Sequence, residues 1–299
     1  MNTSYYFNAP AQMFEEAFPI GNGRLGAKIF GNVNHEIIQL NEESIWSSSF
    51  SQRNNKTSPK ELKHIRDLIN LNRFEEAQEL AFESLTANPE EMSYYESAGE
   101  IHLDFYDGET YGIKGPFPNR METNSYNSYK RELYLDQGIT NTTFSIESIT
   151  PSTADFSSKT SGSSISFSRE CFASSQSDVL VYHISSNIPK SIYFRARFHN
   201  DKKSKVVTLS DDTIVMQNTS GIPYSIMLTA ICSGGKTQIK GDNLIIEKSD
   251  DVILYIDIQT AFRKRKYQKR KGNVKTKASS LCNWCNDKAL RNICMASSL

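Results

Sequence analysis

The chain has 299 residues, with 34 Lys and Arg balancing 34 Asp and Glu, and 38% of it is hydrophobic. That is enough apolar material for a sizeable core in one large or two ordinary domains. The net charge of +0 gives no global reason to expect a nucleic-acid or anionic-membrane partner, although the charge is not evenly spread along the chain. Met1–Phe7 has neither a basic n-region nor an apolar h-region, five cysteines is an odd count, and no run approaches the roughly 18 apolar residues that span a bilayer. The expectation is a cytoplasmic protein with no disulfide framework, no metal and no cofactor.

The first informative stretch is Glu16–Ala27, with Gly21-Asn22-Gly23-Arg24 at its centre. Glycine reaches positive φ without steric cost, so Gly-Asn-Gly predicts a tight, shaped loop. Ala27 to Phe30 and Glu36 to Leu40 read as short strands. Asn41, Glu42 and Trp46 follow at once. With Asn22 and Arg24 they are hydrogen-bonding groups plus one large aromatic, a combination that suits a sugar. The same residues also read as a brace, with Arg24 paired to Glu42 and Trp46 anchored in the core.

From Ser58 the hydrophobic period changes from two to about 3.6. Ser58-Pro59-Lys60-Glu61 predicts an N-cap serine with proline at the first helical position. Leu62, Ile65, Leu68 and Ile69 fall on one helical face. Asn72-Arg73-Phe74-Glu75 repeats the capping pattern before Ala77, Leu80, Ala81 and Leu85. The prediction is a helical hairpin inserted in a β domain.

From residue 100 the alternation is that of strands: Ile101, Leu103, Phe105; Leu180, Tyr182, Ile184; Ile192, Phe194, Ala196; Ile226, Leu228, Ala230; Val252, Leu254, Ile256, Ile258. One buried and one solvated face argues for antiparallel sheets and a large β-sandwich. Asp107 to Asn127 and Thr150 to Ser164 read as loops. After Phe262 a basic block runs from Arg263 to Lys277, followed by a short helical pattern. The predicted division is a sandwich over 1–262 and a basic linker with a helical tail over 263–299. The block lacks the interleaved aromatics of a nucleic-acid surface and reads as a solvated linker. Cys282-Asn283-Trp284-Cys285 has no second ligand pair for zinc and reads as helical spacing.

Adjacent carboxylates at Glu15-Glu16, Glu42-Glu43 and Glu90-Glu91 point to opposite faces if they lie in strands, and read as solvated charge. Arg169-Glu170 reads as a structural pair. No two acids are spaced as a legible glycosidase pair.

Five segments, in order, resemble the N-terminal domain of glycoside hydrolase family 95, the α-L-fucosidases. They are Glu16–Ala27, Leu40–Trp46, Tyr94–Leu103, Tyr129–Asp136 and Arg169–Ser174. The resemblance implies a many-stranded β-sandwich. It also implies that the acid and base of an inverting fucosidase lie in an (α/α)6 barrel that is absent from this chain, so no catalytic residue carries over. Asn22, Arg24, Asn41, Glu42 and Trp46 would at most line a sugar cleft. The expected partners are a fucosylated glycan or oligosaccharide in the intact enzyme and a separately encoded catalytic barrel; no nucleic acid or membrane is expected. The function implied is that of a truncated fucosidase-like domain, inactive alone. The alternative is a stand-alone carbohydrate-binding or scaffold sandwich.

Overall fold

The structure is a computed structural model and describes residues 3–48, 52–106, 126–147, 164–200 and 204–262. The predicted basic linker and tail, the Cys282-Asn283-Trp284-Cys285 motif and most of both predicted loops lie outside these residues.

Sixteen strands and two α-helices occur among the described residues. The strands are β1 (Ser4–Phe7), β2 (Phe18–Gly21), β3 (Leu25–Ile29), β4 (His35–Glu42), β5 (Gly99–Phe105), β6 (Tyr126–Tyr134), β7 (Ile139–Glu147), β8 (Ser164–Ser174), β9 (Val179–Ser186), β10 (Ile192–His199), β11 (Ser204–Ser210), β12 (Thr213–Asn218), β13 (Tyr224–Ser233), β14 (Lys236–Lys240), β15 (Asn243–Ser249) and β16 (Asp251–Thr260). They form a nine-stranded sheet, β1-β6-β7-β8-β9-β16-β13-β12-β11, and a seven-stranded sheet, β14-β15-β10-β5-β4-β3-β2. Every paired strand is antiparallel. The chain is mainly β, as its alternation predicts.

The core lies between the sheets. Ile38, Leu40, Ile101, Leu103 and Phe194 of the seven-stranded sheet share one buried cluster with Leu180, Tyr182, Ile184, Ile226, Leu228, Leu254 and Ile256 of the nine-stranded sheet. Each such side chain contributes about 1.5–3 kcal/mol by leaving water. The register that achieves this is fixed because slipping any strand by one residue would turn its apolar set outward.

Trp46–Glu96 forms a second compact unit, inserted between β4 and β5. It holds the predicted hairpin, α1 (Ser58–Asn70) and α2 (Phe74–Leu85). Ile65 and Leu68 close against Ala77, Leu80 and Ala81. Two capping details differ from expectation. Ser58 is already helical, and its hydroxyl donates to the Ser84 carbonyl (2.5 Å), tying the start of α1 to the end of α2. Asn72 takes φ +58°, the left-handed conformation that ends α1, and does not cap α2. No helix among the described residues is long and apolar enough to cross a membrane.

Gly31 follows β3 with φ +75°, and a Cβ there would lie 2.7 Å from the Tyr129 hydroxyl, which donates to the Gly31 carbonyl (2.7 Å). Backbone strain and overlap then act together. Gly31→Ala is expected to destabilise the fold by about 2–4 kcal/mol, read as a lowered urea midpoint; an unchanged midpoint would mean that the loop relaxes freely.

Candidate functional site

Three of the five sequence-predicted residues meet at one end of the sandwich. Asn22 and Gly23 make the turn between β2 and β3, with Gly23 at φ +93°. The Asn22 Oδ1 accepts the backbone N–H groups of Arg24 (3.0 Å) and Leu25 (2.8 Å), so the side chain shapes its own turn. Its Nδ2 donates across to the Ser174 carbonyl (3.0 Å) and Asp178 Oδ1 (3.1 Å) in the turn between β8 and β9.

That turn aims Arg24 into the interior, where the residue is 8% exposed. Nη1 donates to the Ile258 carbonyl (2.5 Å) and Nη2 to the Asp178 carbonyl (3.0 Å). Three carboxylates surround the guanidinium: Asp178 at 2.5 Å, Glu42 at 3.6 Å and Asp257 at 3.7 Å. Glu42 is fully buried, and its Oε2 accepts the backbone N–H (2.8 Å) and hydroxyl (2.6 Å) of Ser44. The Ser44 hydroxyl is 2.6 Å from that of Thr260 on β16. Burial pushes the Asp257 carboxyl up, against the opposing pull of Gln259 and Arg24. Arg24 therefore braces the two sheets, as the pairing reading of the motif predicts. The reading of Glu42-Glu43 as solvated charge is corrected: alternation turns Glu42 inward and leaves only Glu43 exposed.

Asn41 and Trp46 stand apart from this cluster. Asn41 lies on the opposite face of β4, with its Oδ1 accepting the Glu42 N–H (3.1 Å). Trp46 opens the inserted unit, bridges to Tyr95 and meets its ring edge-on at 5.6 Å. It is 38% exposed, so the core-anchor reading does not hold.

The other end of β4 carries a matching cluster that the sequence did not reveal. Glu36 is fully buried and accepts the Gly31 N–H (2.9 Å), with Arg169 of β8 at 3.8 Å. Arg169 donates to the Asn32 (2.7 Å) and Val33 (2.8 Å) carbonyls and lies over the Phe105 ring at 3.6 Å. The expected Arg169–Glu170 pair is corrected. Neighbours in a strand face opposite ways, so Glu170 points outward to His183 (3.8 Å). His183 also meets Asp251 (2.7 Å), and these two carboxylates push its imidazole up to about 9. Among the described residues, Cys171 and Cys232 are free thiols, and no three His, Cys, Asp or Glu residues are placed to hold a metal ion.

The third polar group lies on the outer face of the seven-stranded sheet, across β4, β5 and β10. Asp104 accepts from His35 (2.5 Å), from Arg195 (2.5 and 3.0 Å) and from Arg197 (3.4 Å). Glu100 meets His102 (2.6 Å) and accepts from Gln39 (2.7 Å), and Arg197 Nη2 reaches His102 Nδ1 (2.9 Å). Burial works to raise the Asp104 carboxyl, but the bonds and charges of His35 and Arg195 overcome it and hold it well below the usual range. Burial, with the neighbouring Arg197 and His35 charges, lowers His102 despite Glu100. These residues lie far apart in sequence, so only strand pairing shows them to be neighbours.

A two-sheet antiparallel sandwich whose inner polar residues brace one sheet on the other is the class this architecture defines. Residues 6–265 match the family described as "Glycosyl hydrolase family 65, N-terminal domain", and the chain belongs to that family. It is 26% identical over 288 residues to "Alpha-L-fucosidase 2" of Arabidopsis thaliana, an alignment covering 86% of this chain and 30% of that protein. Among solved structures it is similar to "Putative kojibiose phosphorylase from human microbiome", at a TM-score of 0.41 and 11% identity, covering 100% of this chain and 37% of that one. The chain thus spans about a third of the length of these relatives.

Two predictions follow from the inner clusters. Arg24→Ala leaves buried carboxylates without their cation and is expected to cost about 3–5 kcal/mol in urea unfolding. A loss near zero would show the clamp to be dispensable. For Glu36, burial raises the carboxyl from 4.5 to about 7, against Arg169 and the Gly31 N–H. The folded pKa exceeds the unfolded one, so this contribution to stability is whole below about pH 4.5 and is lost as pH rises through about 7. Glu36→Gln should flatten that part of the stability profile; an unchanged slope would assign it to other groups.

Proposed function

We propose that this chain is the N-terminal sandwich of a glycoside hydrolase of the α-L-fucosidase type, family 95, and that it does not break glycosidic bonds by itself. The observation carrying this is the alignment with the plant α-L-fucosidase 2 over 288 residues, which is most of this chain and under a third of that enzyme. The sequence motifs support the same assignment, from the Gly21–Arg24 turn through Arg131 and Arg169.

The chemistry of the described carboxyls agrees with it. Inverting hydrolysis needs an acid and a base about 6.5–9.5 Å apart with room for a water between them. Glu36 and Asp257 have the raised carboxyls an acid needs, yet each is held inside the sandwich facing an arginine. They serve the fold, and cleavage of a terminal fucoside belongs to a helical barrel working with this domain, on the same polypeptide or a separate one.

The purified chain should release no 4-nitrophenol from its α-L-fucoside; sustained turnover would overturn the division of labour. The chain, tagged and recovered from its native cells, should carry an α-L-fucosidase activity with it. Phosphate-dependent cleavage of an α-linked disaccharide in its place would overturn the fucosidase assignment.

A further inference from the structure

We propose that the outer face of the seven-stranded sheet, centred on Gln39, Glu100, His102, Asp104 and Arg197, is a binding surface for a neutral glycan. Antiparallel strands alternate, so while Ile38, Leu40, Ile101, Leu103, Phe194 and Ala196 fill the core, the residues between them are carried to the other side. There the sheet presents a single connected network running from Gln39 to Glu100, His102, Arg197, Asp104 and His35.

Three properties of the network point to a sugar. The first is charge balance. Arg195 and Arg197 are matched by Glu100 and Asp104, which leaves only the imidazoles over, so the centre carries little net charge to select an anion or a cation. The second is the interleaving of donors and acceptors. A sugar hydroxyl both donates and accepts, and it is best met by a surface where carboxylate oxygens alternate with guanidinium, amide and imidazole N–H groups. The bonds described leave capacity in place. Glu100 accepts from two groups, where an ionised carboxylate offers about four lone-pair positions, and Arg197 uses two of its three nitrogens.

The third property is rigidity with access. His35 and His102 meet edge-on at 4.9 Å, and His102 and His199 lie 5.0 Å apart at 30°, so three imidazoles form a row across adjacent strands. The His199 ring at the end of the row is exposed and offers apolar surface to sugar C–H groups, while His102 is buried between its two neighbours. Side chains already held in one network lower the ordering cost of binding. The side chains of Asp104, Glu100 and Arg197 remain 19%, 24% and 32% exposed, within reach of a ligand. Three strands span about 10 Å and four residues along a strand about 13 Å, roughly the footprint of two sugar rings.

This surface is on the opposite side of β4 and β5 from the Arg24 and Arg169 braces, so its occupation leaves them untouched. It stands whichever glycosidic bond the associated enzyme cleaves, because it concerns holding a chain and not cutting it.

Saturation-transfer NMR and calorimetry on the full chain with 2′-fucosyllactose and cellotetraose as neutral probes, and a heparin tetrasaccharide as an acidic one, test the proposal. Binding of a neutral probe at about 0.1–5 mM is expected, weakened about tenfold by Arg197→Ala and by Glu100→Gln. Urea midpoints measured in parallel confirm that each variant folds. Gln39→Ala, which removes one half-buried amide at the edge of the network, serves as a milder variant should either of the others unfold, with about threefold weakening expected. Three results would overturn the proposal: no neutral probe binding up to about 10 mM, binding that all three variants leave unchanged, or tighter binding of the acidic tetrasaccharide.

Discussion

The inner face of β4 reads Glu36, Ile38, Leu40, Glu42, a strand with two core aliphatics between two buried carboxylates. An isolated carboxylate in such a position costs many kcal/mol, so each must be met by a cation brought from elsewhere in the chain. Arg24 supplies the one at Glu42, and Arg169 the one at Glu36. The two arginines run in opposite directions. Arg24 leaves the seven-stranded sheet and reaches the Ile258 carbonyl of the nine-stranded one, while Arg169 leaves the nine-stranded sheet for the Asn32 and Val33 carbonyls. The hydrophobic contacts between them set how closely the sheets approach. The charged pegs set their lateral position, because a guanidinium satisfied by carbonyls on the facing sheet tolerates little sliding. Arg131 adds a third tie at the sheet edge, donating to the Ala9 (2.8 Å) and Glu16 (2.7 Å) carbonyls beneath Phe7 and Phe18.

This explains why a glycine-rich turn is the most recognisable part of the chain. Asn22 and Gly23 put Arg24 at the angle its peg requires, and Gly31 lets the next turn pass under Tyr129 to present the carbonyls that Arg169 needs. Both turns serve the mating of the sheets.

The strands and the helical hairpin were legible because their signal is periodic and local: Ile101-Leu103-Phe105 at a spacing of two, Leu62-Ile65-Leu68-Ile69 at helical spacing. The Arg24–Glu42 pair was legible because Arg24 immediately precedes β3, whose first residue, Leu25, lies opposite Glu42 on the neighbouring strand. Glu36–Arg169 was not, since its partners lie 133 positions apart; alternation with Ile38 and Leu40 puts Glu36 on the core face but does not name its cation. The histidine network was invisible for the same reason, its members arriving from three strands. Ser58 misled because a serine before proline fits a cap, yet the hydroxyl found a better acceptor at Ser84, a partner only the folded hairpin supplies.

The inserted unit leaves the sandwich after Ile45 and returns at Ser97, between two strands that are themselves paired, with Leu40 opposite Gly99. Its own ends are joined, through the Trp46–Tyr95 bridge and the Ser47 N–H on the Tyr94 carbonyl (2.9 Å). A segment whose two ends meet at a paired hairpin adds to closure entropy only logarithmically in its length. The junction is thus a natural exchange point. A change in the hairpin's length leaves β4 and β5 their register, so the chain can vary there without renegotiating its core.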